Sequence, residues 1–154
     1  GDRQTWIAKS QGARSGLRYD PDMGRETPLV YTASGHAWLA CMSDAEALSL
    51  VDRQALKMPE DVGPNAPRNS VELLQYLRQA REQGYACVEE SSAVGTSAIA
   101  AVVRHPLDGR VLGVLSIAGP TARMTRSRLH ELAPTLLAFT EELSHASQAS
   151  ELFS

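Results

Sequence analysis

The chain has 154 residues, about the length of one domain, and 43% are hydrophobic against 21% charged, which is ordinary globular usage. Its formal net charge of −3 argues against a stand-alone nucleic-acid binder, because such proteins present a basic face. The apolar runs 98–103 and 111–118 are far shorter than the roughly 20 residues that span a bilayer, and the polar start 1–4 is not a signal peptide.

Strands and short helices are predicted in the first part of the chain. Apolar and β-branched residues predict strands at 5–9 and 17–19 and an extended segment at 28–32. A helix then opens at Ala33–Gly35. A second helix starts at Ser43, where Glu46 stands three residues later and completes a capping box.

The middle of the chain contains a capped helix and a β-hairpin. Asn69 is a good N-cap and Gly84 a good end for the helix between them, and a strand follows at 85–88. The apolar runs 98–103 and 111–118 flank Asp108–Gly109, which is a hairpin signal. Their continuous apolar character predicts that both faces of these strands are covered.

The last helix is predicted to begin at Thr125 or Ser127 and to carry a narrow apolar stripe. This stripe is expected to pack on the sheet, although a helix–helix dimer contact is an alternative, and Pro134 should kink or restart the helix. The stripe consists of Leu129, Leu132, Leu136, Phe139, Leu143 and Ala146. The order of elements predicts an α+β fold, an antiparallel sheet flanked by helices.

No catalytic constellation is apparent in the sequence. Glu141 and His145 share a helix face, but no second pair joins them, so a metal site is not expected. Ser34 lacks the Gly-x-Ser-x-Gly elbow of a serine hydrolase. We therefore expect neither an enzyme nor a cofactor.

Cys41 and Cys87 are too few for a disulfide scaffold and lie in apolar stretches. They are predicted to be buried, reduced thiols in a cytoplasmic protein.

An ordered set of motifs resembles the C-terminal domain of IclR-type transcriptional regulators. The set covers nearly the whole chain, and it is the order of the motifs that makes the resemblance specific. It comprises 24–40 (GRETPLVYTASGHAWLA), 81–86 (REQGYA), 89–91 (EES), Gly95, 98–101 (AIAA) and 114–120 (VLSIAGP) with Arg123. The sequence departs from the family pattern at His36, where Lys is frequent, and at Val102, where Pro is frequent.

The resemblance implies a GAF-like effector-binding domain over residues 1–154. In the family a winged helix-turn-helix precedes this domain and binds DNA, and nothing in the present sequence resembles it. Residues 1–154 are therefore expected to be the sensor half alone, to bind no duplex DNA specifically, and to assemble as a homodimer or homotetramer without membrane contact.

The resemblance also implies a set of effector-binding positions. They are Ala33, Ser34, Val88, Ala98, Ser116 and Ala118. Gly35, which completes the helix start formed by Ala33 and Ser34, is included with them. The N–H groups of a helix start suit a carboxylate, so a small organic acid with an apolar body, large enough for an aromatic ring, is expected there. No Arg or Lys is expected in contact with it. Two alternatives remain: Ser34 only caps its own helix, and Ser116 is an ordinary sheet residue.

Two rival functions remain at this point. A GAF-type thiol enzyme, such as a methionine sulfoxide reductase, would need reactive cysteines at one cleft, and the apolar surroundings of Cys41 and Cys87 count against it. The other rival is a dimerisation domain with no ligand, which a ligand-dependent gain in thermal stability would exclude.

Overall fold

The computed structural model describes residues 5–8, 16–21, 29–53 and 62–153, and the side chains of 16–21, 29–52 and 62–149 among them. These residues form an α+β fold, as predicted. In chain order the elements are β1 Thr5–Ala8, β2 Gly16–Asp20, α1 Ala33–Leu39, α2 Asp44–Arg53, α3 Ser70–Gln83, β3 Ala86–Glu89, β4 Thr96–Arg104, β5 Val111–Pro120 and α4 Arg126–Phe153.

The described strands form one five-stranded antiparallel sheet in the order β1-β2-β5-β4-β3. The predicted hairpin of β4 and β5 is confirmed and lies near the centre of the sheet. Its turn contains Gly109 at φ 75°, a left-handed conformation that favours glycine. Lys9 of the predicted first strand lies outside the described residues. The extended segment predicted at 28–32 is wrong for Leu29 to Tyr31, which form a turn, whereas Thr32 has extended backbone angles.

Helices cover both faces of the sheet, which confirms the expectation from the continuous apolar runs. On one face, α1 and α3 pack on the even-numbered residues of β4, such as Ala100. On the other face, α4 packs on Ile99, Ala101 and Val103 through Leu129 and Leu136. Side chains alternate between the faces of a strand, so one strand supplies both cores.

The helix ends of α2, α3 and α4 follow the sequence signals. The Glu46 N–H donates to Ser43 Oγ at 3.2 Å, and the Ser43 hydroxyl donates to the Glu46 carboxylate at 2.9 Å. Asn69 caps α3 by accepting from the Glu72 N–H at 2.9 Å, and Gly84 ends α3 in the left-handed region. Thr125 caps α4 by accepting from the Arg128 N–H at 3.2 Å.

The structure corrects two expectations for α4. The helix is continuous through Pro134, which lies on its exposed side, so the predicted restart is wrong. Phe139 and Ala146 of the predicted stripe are exposed, while Ala133 and Thr140 take the buried positions. A straight α-helix repeats every 3.6 residues, so a stripe with a spacing of 3.5 residues drifts away from the sheet.

Candidate functional site

A cavity of about 270 Å³ lies between the start of α1 and the sheet, and we call it the α1–sheet cavity. It brings together six of the seven predicted effector-binding residues. The described residues that line it are Gly16, Arg18, Thr32, Ala33, Ser34, Val88, Ser92, Thr96, Ser97, Ala98, Ser116 and Ala118.

The strand register builds the floor of this cavity. One row of residues crosses four strands as Gly16, Ala118, Ala98 and Val88. These neighbours lie on the same face of the sheet, and all but Val88 have at most one side-chain carbon. A row of such small residues leaves space above the sheet, because no long side chain fills it.

Arg18 and Ser116 pair in the next row of the floor. The cavity lining therefore includes an arginine, although no Arg or Lys was expected in contact with the effector. Burial lowers the pKa of Arg18, while the negative charge of Asp20 acts in the opposite direction. An arginine keeps its proton in proteins, so the cavity contains a cation that is partly removed from water.

The N-terminal turn of α1 forms one wall of the cavity. Thr32 is the N-cap, and its hydroxyl accepts from the Gly35 N–H at 2.9 Å. The alternative that Ser34 caps the helix is therefore wrong. A Cβ at Gly35 would lie 2.3 Å from the Leu29 carbonyl oxygen, so only glycine allows the chain to pack this closely.

Gly35 itself is not part of the lining. Its N–H is already bound by Thr32 and its Cα faces Leu29, which counts against the prediction that it meets a carboxylate. Sequence reasoning did not identify Thr32 as the cap and so left this N–H available to a ligand.

The hydroxyls of Ser34 and Ser116 lie at the cavity, and both residues are buried. Each hydroxyl has donor and acceptor capacity for a bound molecule.

The loop between β3 and β4 forms the rim. Ser92 and Thr96 line the cavity there. The neighbouring Ser91 is fully buried, and its hydroxyl donates to the Tyr31 carbonyl at 2.7 Å. Glu90 has a positive φ of 50° at the start of this loop. This buried hydrogen bond therefore joins the rim to the segment that leads into α1.

Sequence reasoning missed Gly16, Arg18 and the rim residues. For Arg18 a usable signal exists, since it lies on a short predicted strand and alternates with the apolar Leu17. The missing information was the pairing of β2 with β5, which places Arg18 opposite Ser116.

Comparison with known proteins agrees with this architecture. The family model for the bacterial transcriptional regulator IclR C-terminal domain matches residues 1–145. The chain belongs to the IclR C-terminal family.

Transcriptional regulators are among the relatives and solved structures that this chain is similar to. The repressor AllR of Escherichia coli strain K12 is 30% identical over 115 residues, which are 75% of this chain and 41% of AllR. The C-terminal domain of the E. coli regulator KdgR superposes with a TM-score of 0.67 at 30% identity, covering 83% of this chain and 76% of that one.

A third similar structure is the inducer-binding domain of PobR from Acinetobacter, a double mutant in complex with 3-hydroxybenzoic acid. It has a TM-score of 0.68 at 22% identity and covers 82% of this chain and 70% of that one. Its likeness shows the shared fold.

The cysteines of this IclR-type domain do not form a common site. Cys41 is exposed, which corrects the prediction that both thiols are buried, and Cys87 is half-buried. They lie at two further cavities. Surrounding side chains still desolvate both thiols and raise the pKa of Cys41, and that of Cys87 to about 11. A thiol enzyme needs a lowered thiol pKa, so the alternative of a methionine sulfoxide reductase is not supported.

The two further cavities contain none of the predicted effector-binding residues. A polar groove of about 680 Å³, the α3–α4 groove, runs between α3, β3 and the start of α4 and includes Cys87 and an Arg126–Glu89 ion pair of 2.8 Å. A cavity of about 300 Å³ contains Cys41 and Arg104.

Neither a metal centre nor a spanning helix was found in the described residues. They contain no group of three or more His, Cys, Asp or Glu side chains that could hold a metal ion. Among them, no helix combines the length and the apolar character needed to cross a membrane.

Proposed function

We propose that this domain binds a small organic acid in the α1–sheet cavity and thereby modulates DNA binding by a longer regulator. The observation that carries the proposal is the composition of the cavity. A floor of small residues lies beside Arg18 and the hydroxyls of Ser34 and Ser116, in a domain of the IclR C-terminal family.

The size of the cavity favours a small effector. Its volume of about 270 Å³ is slightly below the usual range for sites of drug-sized molecules, roughly 300–1,000 Å³. An acid with one ring fits such a volume. The complex of the PobR domain with 3-hydroxybenzoic acid is a precedent for a one-ring acid in this fold.

The lining separates into apolar and polar parts. Val88, Ala98 and Ala118 present an apolar surface to the body of the effector. Arg18, Ser34 and Ser116 offer donors to its polar groups. Among the described residues of the lining, no nucleophile is paired with a base, and we propose that the domain binds its effector without converting it and without a cofactor.

DNA contact belongs, in this proposal, to a part of the regulator other than this domain. The chain spans 41% of the length of the curated repressors it matches. The arginines that come closest to a basic cluster in the sequence are Arg123, Arg126 and Arg128. One of them, Arg126, forms an ion pair with Glu89 within the domain. We therefore propose a cytoplasmic homodimer or homotetramer in which effector binding here is relayed to a DNA-binding domain.

A thermal-shift screen of small organic acids tests the proposed function. A ligand that binds only the folded state raises the unfolding temperature. At least one acid is expected to do so for the wild type and for Ala146→Phe, whose added ring lies at an exposed position of α4.

The Ala98→Phe variant tests the location. Its ring would fill the middle of the cavity floor, so the same acid is expected to give no shift. A shift that persists in Ala98→Phe, or the absence of a shift with every acid, would contradict the proposed function.

A further inference from the structure

We propose that Arg18 determines the specificity of the α1–sheet cavity, by binding the carboxylate of the effector at the β2 side of the floor. The effector then lies across the strands, with its apolar body over Ala118 and Ala98 and its far end toward Val88. This inference rests on the proposed function and adds the group that distinguishes an acid from its neutral analogues.

Arg18 stands apart from the rest of the lining. Among the described residues that line the cavity, it alone carries a charge, and it is also the longest side chain on the floor. Its neighbours in the two floor rows are Gly16, Ser116 and Ala118. A long cation beside three small residues can extend over the floor.

The register sets the direction of the bound acid. Arg18 is on β2 and Val88 on β3, and β5 and β4 lie between them. Three strand spacings of about 4.8 Å, together with an offset of two residues or about 7 Å along the strand, put these two residues roughly 16 Å apart at the backbone. The cation and the bulkiest apolar group therefore mark opposite ends of the floor, which suits a molecule with a carboxylate at one end.

The chemistry of the guanidinium suits this role. It has five N–H donors in a planar fork that matches the two oxygens of a carboxylate. A carboxylate can therefore bind while Arg18 keeps its other interactions. Asp20, whose negative charge acts on Arg18, is buried and is not part of the lining, so it does not occupy the cavity.

The other predicted carboxylate site is weaker. Helix α1 has seven residues, and the Gly35 N–H is already bound by Thr32. Only the N–H groups of Ala33 and Ser34 remain at that end of the cavity. A short helix with one donor already bound offers less to an anion than a half-buried arginine.

The test is calorimetry with two pairs of probes, benzoate with benzamide and butyrate with butyramide. A hydrogen bond between Arg18 and a carboxylate strengthens binding. In the pair whose acid binds more tightly, the wild type is therefore expected to bind the acid roughly 10- to 150-fold more tightly than the amide. Arg18→Gln is expected to bind acid and amide with affinities within about threefold, because only the charge-dependent contact is lost. Retained amide binding shows that the cavity is intact.

Two further variants complete the test. Arg78→Gln removes the same charge from an exposed position of α3 outside the cavity and is expected to keep the wild-type preference. Arg18→Lys keeps the charge but not the planar fork of donors, so its preference for the acid should fall between those of the wild type and Arg18→Gln. This variant serves as the test if Arg18→Gln does not fold.

The outcomes separate this inference from the proposed function. An undiminished preference for the acid in Arg18→Gln and Arg18→Lys would overturn the role of Arg18 and leave the proposed function intact. If the wild type binds none of the four probes nor any acid in the screen, the proposed function fails and the inference fails with it.

Discussion

The imidazole of His36 is fully buried beneath the turn that leads into α1. Its Nε2 donates to the Val30 carbonyl at 2.6 Å, and its ring contacts Tyr76 with ring centroids 5.0 Å apart. Among the described residues, Nδ1 has no hydrogen-bond partner. Because a carbonyl only accepts, Nε2 carries a proton in this hydrogen bond. Burial lowers the pKa of His36 to about 4.

This buried histidine predicts a loss of stability in mild acid. The folded-state pKa of about 4 lies below the reference value of 6.5, so the unfolded chain binds a proton between these values and the folded chain does not. The free energy of unfolding should therefore fall by about 3 kcal/mol as pH drops from 7 to below 4. Urea unfolding from pH 7 to pH 4 measures it.

His36→Gln serves as the comparison for this pH dependence. The variant loses stability at every pH, because its side chain cannot reproduce the buried ring, but it has no group that titrates at this position. Its unfolding free energy should depend less on pH than that of the wild type. Equal slopes in the two proteins would mean that His36 is not responsible.

Several site residues could be predicted one by one, but the complete site could not. Ala33, Ser34, Val88, Ala98, Ser116 and Ala118 came from the family resemblance and share the α1–sheet cavity. Arg18 did not, because its place depends on which strand pairs with β2. Gly35 was misassigned, because the cap is Thr32 and local sequence does not fix a helix end to within one residue.

At the scale of elements, α4 shows where a sequence pattern stops being informative. Leu129 and Leu136 were correctly predicted to face the sheet, and both are fully buried. Phe139 continues the same apolar spacing but is 37% exposed. Its side chain points away because the helix does not supercoil around a partner within the chain, so the 3.6-residue repeat determines the buried face.

Two substitutions in α4 test this orientation. Leu136→Ala should lower the free energy of unfolding by about 2–5 kcal/mol, because it leaves a cavity under the helix. Phe139→Ala should change it by less than about 1 kcal/mol in the monomer, where the ring is in contact with solvent. Chemical denaturation of both variants measures the difference. A Phe139→Ala cost equal to that of Leu136→Ala would contradict the assigned face.

At the scale of the whole molecule, the arrangement of two helical layers on one sheet follows from the order of the elements. The hairpin signal at Asp108–Gly109 and the apolar runs around it predicted a strand pair covered on both faces, and this is found. The α1–sheet cavity could not be derived in this way. It exists because small residues of β2, β5 and β4, distant in the sequence, meet in one row beside Val88 of β3, and that row depends on the register.

Self-association is the prediction that concerns the whole domain. The outer side of α4 exposes Leu137 and Phe139, which is apolar surface that a second copy could cover. Sedimentation equilibrium is expected to report a dimer or a tetramer, since symmetric homo-oligomers are the commonest assemblies. A mass of 16.6 kDa at high protein concentration would show a monomer and contradict the prediction.

The location of a bound acid is the central claim, and a crystal structure of the domain with the acid that gives the largest thermal shift tests it most directly. The acid should lie in the α1–sheet cavity, over Ala98 and Ala118, with its carboxylate toward the β2 side. Density for the acid in the α3–α4 groove, with the α1–sheet cavity empty, would contradict it.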